Sequence, residues 1–428
     1  MNSQVDHPSA VVLSGNLGVN KTKSMNEVAL ALTRSLGRNG VQVYRFHPDR
    51  SLVDLNSRYC IHVTCPNLYD DESGLIDALI AFSNSKQVKP VLFPASDGAT
   101  QFIARNEGQL RPYFALTCPP WSCVREIQNK QRLLECARQA DIPIPETYFP
   151  TSQAETDRIA RSLTYPAVVK PLTSQHWKRP EVIAAIGPVK AVTVTGPDEL
   201  ADLYHKVAPL APDMMIQEII PGGDDRLLTF LGYISQDGTP LAGCVRKKLR
   251  QYPPGFGYCC LTETVIDPEI MELSIRLLKV LNYRGIGCVE FKRDPRDGQP
   301  KLIEINARAV RTTGVAIAAG VDLPWFAYQD MTSPNRPAPV FDYIVPVRWI
   351  HLQDELQAAL DLMREGQLGL REWLRIFHGR IVVAEWAWDD LRPGVLALLP
   401  LVRRLFSWPY RHARRSIMHR FQPKGEET

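Results

Sequence analysis

The sequence predicts an α/β protein: an open parallel α/β domain, then a strand-richer α+β unit in two lobes, then a helical extension. Three observations predict it. Strand and helix patterns alternate with short connections over about the first hundred residues, the arrangement that builds a parallel sheet. The stretch Asp141-Ile142-Pro143-Ile144-Pro145-Glu146-Thr147 forces extended backbone and opens a new unit. A second proline-rich linker, Ser333 to Pro339, closes that unit and leads to a strand and then helices with several tryptophans. The expected domains are therefore residues 1–120, 121–332 (lobes of about 140–225 and 226–332) and 333–428.

The elements follow in order. Ala10 to Gly15 is a short apolar strand ending in a turn, and Val41 to Phe46 a second strand. Between them Ser24 to Gly40 has helical spacing, with Val28, Leu30, Leu32 and Leu36 among its apolar residues and Gly40 as its stop. A helix over Gly74 to Ser85, a strand over Pro90 to Phe93 and a helical stretch over Arg125 to Ala140 come next. The second unit is read as strands over Ala167 to Lys170, Ala191 to Thr195, Met214 to Ile220, Leu227 to Ile234 and Leu241 to Lys247. Helices over Asp198 to Val207 and Pro268 to Leu281 separate some of them. The first glycine turn, Ser14-Gly15-Asn16-Leu17-Gly18, lacks the third glycine of a dinucleotide fingerprint, and no acidic residue closes the second strand before Asp49. A nicotinamide cofactor is therefore disfavoured.

Composition is that of a soluble globular chain, 45% hydrophobic and 22% charged. Its nine cysteines are an odd number, without Cys-x-x-Cys spacing or a histidine cluster, which favours reduced thiols in a cytoplasmic protein over zinc or disulfides. Met1 to Pro8 lacks the build of a secretory signal, and no run of eighteen apolar residues offers a membrane span. The net charge of +4 is unevenly placed. Leu391 to Thr428 carries eight Lys/Arg and two Glu, so the rest is slightly acidic. A nucleic-acid protein would spread its basic surface over the body, so nucleic acid is an unlikely partner. The tail's arginines beside Trp408 and leucines suit either a helical cap on the core or contact with anionic lipid.

The chemistry concentrates near residue 300. Val289-Glu290-Phe291-Lys292 and Lys301-Leu302-Ile303-Glu304-Ile305-Asn306-Ala307-Arg308 flank a turn from Asp294 to Pro300, which reads as a β-hairpin. Residues two apart on a strand share a face. Glu304 and Asn306 therefore point the same way, Glu290 on the neighbouring strand joins them, and Arg308 follows. Two carboxylates and an amide oxygen make an open, hard site suited to Mg²⁺ with substrate phosphates. Arg308 is placed for phosphate oxygens or an oxyanion. Upstream, Lys170 ends an apolar strand, where an ammonium either snorkels or meets an anion. Gln217 and Glu218, followed by Ile220 and by Asp224 after a glycine turn, offer polar contacts for adenine and ribose.

In this order the motifs resemble the ATP-grasp superfamily: a strand-ending Lys170, then Gln217-Glu218-Ile219-Ile220 with Gly222 and Asp224, then Glu290, Glu304, Asn306 and Arg308. Gln128-Asn129-Lys130 with the Ile-Pro-Ile-Pro run resembles its usual domain entry, and the likeness runs from about residue 10 to 330. Lys247-Lys248-Leu249-Arg250-Gln251-Tyr252-Pro253, with Arg246 before it, is similar to the basic segment of the carboxylate–amine ligase branch, to whose uncharacterised members D-aspartate ligase is similar. The resemblance implies a pre-ATP-grasp domain followed by a two-lobed ATP-grasp fold. It implies ATP with one or two Mg²⁺ ions, Mn²⁺ being an alternative metal. Lys130 and Lys170 would bind ATP, Lys170 at the α/β-phosphates. Gln217, Glu218 and the backbone near Ile220 would meet adenine, and Asp224 the ribose. Glu290, Glu304 and Asn306 would hold the metal. Arg308, Lys248 and Arg250 would serve the transferred phosphoryl group or the substrate.

The implied reaction joins a small-molecule carboxylate to an amine through an acylphosphate, with release of ADP. The competing expectation is an ATP-binding peripheral membrane or assembly protein without turnover. Cytoplasmic location is expected, with membrane contact through the tail as a variant and an oligomer compatible with the sequence. One departure from the family concerns the loop after Lys170, Thr173-Ser174-Gln175-His176-Trp177-Lys178, which has no glycine until Gly187. Lys178 and Lys190 are its candidates for reaching phosphate.

Overall fold

A computed structural model describes residues 7–15, 25–172, 176–189, 191–255 and 257–399. Asn16 to Gly18, Thr173 to Gln175, Lys190 and the tail from Pro400 onward lie outside the described residues, as does the Lys178 side chain.

The first sheet is parallel and ordered β3-β2-β1-β4-β5, from β1 (Ala10–Leu13), β2 (Val43–Phe46), β3 (Cys60–Val63), β4 (Val91–Pro94) and β5 (Ala115–Leu116). Its strands are short and apolar because both faces are covered. Ala10, Val12, Val43 and Phe93 face one core, and Val11, Leu13 and Leu92 face the other. The helix Glu27–Arg38 begins where Asn26 accepts from the Ala29 N–H, satisfying one of the donors at its N-terminus. The stretch read as one helix over Arg125 to Ala140 is two, Trp121–Gln128 and Lys130–Gln139, because Asn129 adopts extended backbone and caps the second.

The second sheet is antiparallel and ordered β6-β9-β7-β8, from β6 (Thr147–Tyr148), β7 (Ala167–Pro171), β8 (Val192–Val194) and β9 (Met214–Glu218). The third has seven strands, β14-β13-β10-β11-β12-β15-β16. These are β10 (Leu227–Ile234), β11 (Pro240–Tyr252), β12 (Tyr258–Val265), β13 (Gly285–Arg293), β14 (Pro300–Asn306), β15 (Val347–Ile350) and β16 (Arg380–Val383). The sequence reading ended β11 at Lys247 and had no strand at β12. Charged and β-branched residues there alternate with apolar ones, and the pairing of β11 with β12 carries both.

The extension past residue 333 contributes β15 and β16 to this sheet as well as helices. It is strapped to the first domain by Asp390, whose buried carboxylate accepts from Ser57 Oγ at 2.7 Å, the Arg58 N–H at 2.9 Å and Arg34 Nε at 2.9 Å. No helix among the described residues is long and apolar enough to cross a membrane.

Candidate active site

One face of the large sheet changes character between two adjacent transverse rows. Leu231, Cys244 and Cys288 sit in register on neighbouring strands and belong to the apolar core, with Asn306 ending that row. The next row reads Thr264, Arg246, Thr229, Glu290 and Glu304 across five strands. Cross-strand neighbours on one face lie about 5 Å apart at Cβ, so the sheet itself places Glu304 opposite Glu290. Asn306, two residues along, donates from Nδ2 to Glu304 Oε1 at 3.0 Å. Among the described residues no group of three or more His, Cys, Asp or Glu is placed to hold a metal ion. The donor set here is open, two carboxylates and an amide, whose hard oxygens fit Mg²⁺ sharing its shell with phosphates and water.

Cations crowd this row. Lys248 Nζ lies 3.4 Å from Glu290 Oε2, Arg246 Nη2 lies 3.9 Å from the same oxygen, and Thr229 Oγ1 donates to it at 3.4 Å. Burial pulls the Lys248 ammonium down, yet Glu290 more than restores it, so its pKa stands above the ordinary value. Arg250 goes elsewhere. Two irregularities in the β11–β12 register, at Lys248/Arg250 and Arg250/Gln251, put it opposite Leu261, on the far face. There its guanidinium meets the buried carboxylate of Glu355 at 3.3 Å. Gln251 returns to the near side and holds Asp224, donating from Nε2 at 2.8 Å and from its N–H at 3.1 Å. Asp224 follows a turn that needs Gly222, whose φ is +93°. Lys292 ties that turn to β13 by donating to the Gly222 carbonyl at 2.7 Å.

The small sheet supplies the opposite wall. Val168 pairs with Gln217 and Lys170 with Met215, which puts Lys170 and Gln217 on one face. Lys170 Nζ donates to Gln217 Oε1 at 3.4 Å, and Gln217 Nε2 donates to Thr147 Oγ1 at 2.9 Å. Burial lowers the Lys170 pKa, opposed by Glu304 and Glu290 from the other wall. Lys130, at the start of its helix, donates to the Pro171 carbonyl at 2.6 Å. Burial and then the nearby Lys170 charge push its pKa down to about 8, against the pull of Glu304. Lys130 and Lys170 are thus within electrostatic reach of Glu304, and Lys170 also of Glu290, which puts the four charged groups of the two sheets near one another. Glu218 turns the other way. Its carboxylate is bound by Arg296 at 2.7 Å and Lys301 at 3.3 Å and accepts from the Glu146 N–H at 2.9 Å. Burial would raise its pKa, but these partners outweigh it and hold the carboxyl below its usual range. Its side chain therefore lies on the face of β9 opposite Gln217. Ile220, just past the strand, is buried. Arg308 reaches the first domain, pairing through Nε with Asp97 Oδ1 at 2.7 Å and through Nη2 with Asp97 Oδ2 at 2.9 Å.

Comparison with known proteins bears directly on this arrangement. Residues 261–329, which include Glu290, Glu304, Asn306 and Arg308, match the family model described as carbamoyl-phosphate synthase L chain, ATP binding domain. The chain is 23% identical over 280 residues to D-aspartate ligase of Enterococcus faecium (strain Aus0004), an alignment spanning 63% of this chain and 66% of that protein. Its fold is similar to that of L-amino acid ligase from Bacillus licheniformis, with a TM-score of 0.55, 17% identity and 77% and 75% of the two chains covered. The chain has the ATP-grasp fold. The ATP-grasp fold is shared with the biotin carboxylase domain of Hydrogenobacter thermophilus 2-oxoglutarate carboxylase, solved with MgADP, ADP and bicarbonate. There the TM-score is 0.54 at 17% identity, over 76% of this chain and 70% of that one. Both likenesses to solved structures are of fold.

Sequence reading left three residues of this ATP-grasp cleft unassigned. Arg246 and Thr229 stand in the same row as Glu290. Arg246 was signalled by its spacing of two from Lys248 on one strand. Asp97 carried no comparable signal, because it reaches Arg308 across 211 residues of sequence.

Proposed function

We propose that the protein is an ATP- and Mg²⁺-dependent ligase that activates a small carboxylic acid as an acylphosphate and joins it to an amine. The observation that carries this is the pairing of two walls. Glu290, Glu304 and Asn306 with Lys248 lie on one, and Lys130, Lys170 and Gln217 on the other. Its likeness to proteins named D-aspartate ligase and L-amino acid ligase supports an amino acid among the substrates.

A carboxylate resists attack because its leaving group would be oxide, and phosphorylation replaces that with phosphate. Lys170 and Lys130 would hold the polyphosphate, and Gln217 with the β9 backbone would seat adenine. Asp224, fixed by Gln251, would take the ribose. Mg²⁺, held by Glu290, Glu304 and Asn306 when bound, supplies Lewis-acid stabilisation of charge on the transferred phosphoryl oxygens. Lys248 adds a fixed positive charge beside that centre, and Arg308 stabilises the oxyanion of the tetrahedral intermediate. Positioning of the reacting groups accounts for much of the remaining rate.

The test is release of ADP and phosphate by purified protein with Mg²⁺, against a panel of amino acids led by D-aspartate and a panel of amines. Turnover that needs one acid–amine pair supports the ligase. ATP binding with no turnover on any pair favours the non-catalytic alternative.

A further inference from the structure

Arg308 stands just past the proposed metal-binding strand, yet in this structure the Nε/Nη2 edge of its guanidinium is taken by an acid from another domain, while Nη1 donates to the Ala309 carbonyl at 2.9 Å. Asp97 is that acid. It sits just past the end of β4, in the first turn of the helix Asp97–Arg105, with its side chain 66% exposed while Arg308 is 16% exposed. Beside it Gly15, at the end of β1, donates its N–H to Ser96 Oγ at 3.2 Å. β1 and β4 are adjacent at the centre of the parallel sheet, and the connections run outward from them in opposite directions. That is the switch point of an open sheet, where the carboxyl ends of strands leave a crevice for a ligand. Here the crevice opens onto Arg308.

The other acids of the cleft are committed. Glu290 and Glu304 are the metal donors, Asp224 is locked by Gln251, and Glu218 is bound by Arg296 and Lys301. Asp97 and Glu304 are the exposed acids of this set, and Asp97, which is not one of the metal donors, borders the group that must meet the acyl oxygen.

We propose that Asp97 anchors the amine substrate and accepts its proton, exchanging Arg308 for the substrate's ammonium when the acid arrives. This rests on the ligase reading above. In the exchange the acyl group's oxygen takes the Arg308 guanidinium and the freed Asp97 carboxylate takes R–NH₃⁺, so nucleophile and electrophile are set side by side. One ammonium proton passes to the Asp97 carboxylate and the freed nitrogen lone pair bonds to the acyl carbon. The carbon–oxygen bond to phosphate then breaks, and the second proton lost from nitrogen leaves with the phosphate. The amine class this fits is a protonated primary amine.

Hydroxylamine separates the two half-reactions, because it is neutral near pH 7 and needs neither an ammonium anchor nor a base. Wild type and Asp97→Asn would each be given MgATP, every acid of the panel, and either hydroxylamine or the amine panel, with thermal melting to verify folding. The expected result is hydroxamate formation within a few-fold of wild type in Asp97→Asn and amide formation down by about a hundred-fold or more. Equal loss of both products would overturn the assignment and make Asp97 a prop for Arg308. Unchanged amide formation would overturn it outright while leaving the ligase standing. A wild type that makes neither product would overturn the ligase reading, and the role of Asp97 with it.

Discussion

Lys248 and Lys170 stand on opposite walls of one cleft in opposite electrostatic condition. Lys248 is buried and Lys170 half-buried, which disfavours an ammonium in both. On the large sheet, Glu290 more than compensates and the Lys248 pKa is raised. On the small sheet, Glu304 and Glu290 act from across the cleft, and the Lys170 and Lys130 pKa values stay depressed. The large-sheet wall is thus balanced within itself, with its charges fixed by strand register. The small-sheet wall gains most from an incoming polyanion, since phosphate charge would favour the ammonium form of both lysines. Chemistry is expected to depend on the first wall and nucleotide affinity on the second.

The sharpest way to break this division is Glu304→Gln. It keeps the shape and the Asn306 contact but removes a charge from the proposed metal donors. Turnover should fall by about 10²–10³-fold with ADP affinity in the absence of metal little changed, as read by steady-state kinetics and calorimetry. A comparable loss in metal-free nucleotide binding would show that the two walls are not separable. Lys170→Met should do the converse. It removes a charge-assisted contact of about 1.5–3 kcal/mol, so ATP affinity should weaken by about ten- to a hundred-fold.

A smaller effect should appear in pH dependence. The Lys130 pKa of about 8 is depressed by burial and the Lys170 charge. Its positive charge is therefore present below that pH and lost as pH rises through it. ATP affinity should fall by a few-fold from pH 7 to 9 in wild type. In Lys130→Arg, which stays charged throughout, the slope should flatten. An unchanged slope would remove Lys130 from the nucleotide wall.

How much of this was legible in the sequence follows from how local each feature is. The Glu304/Asn306 spacing and its hairpin partner Glu290 were readable because strand alternation and a short turn settle them within about twenty residues. Gln217 with Lys170 was readable as motif order but not as contact, since β7 and β9 pair across some fifty residues. The opposite facing of Glu218 follows from the same alternation, but the cluster that holds it, Arg296 and Lys301, comes from the other lobe. Asp97 and the Asp390 strap were beyond reach, because their partners are fixed only when whole domains dock.

β11 shows the limit of alternation most clearly. Regular alternation would put Arg246, Lys248 and Arg250 on one face, whereas the basic segment was read from its resemblance to a family motif. The paired irregularities at Lys248/Arg250 and Arg250/Gln251 turn Arg250 over to Glu355 and bring Gln251 back toward Asp224. Arg250→Met and Lys248→Met should therefore part company. Lys248→Met should impair turnover by an order of magnitude or more. Arg250→Met should leave the KM for ATP within about two-fold. It should instead destabilise the fold by about 3 kcal/mol, because Glu355 loses its cation in a buried site. Glu355 is not left bare, since Trp373 Nε1 still donates to it at 3.2 Å, so the cost stays near the low end for a broken buried pair. Chemical denaturation beside steady-state kinetics would read both. If Arg250→Met instead raised the KM for ATP and left stability alone, the strand would have to run without its irregularities in the working enzyme, with Arg250 facing the cleft.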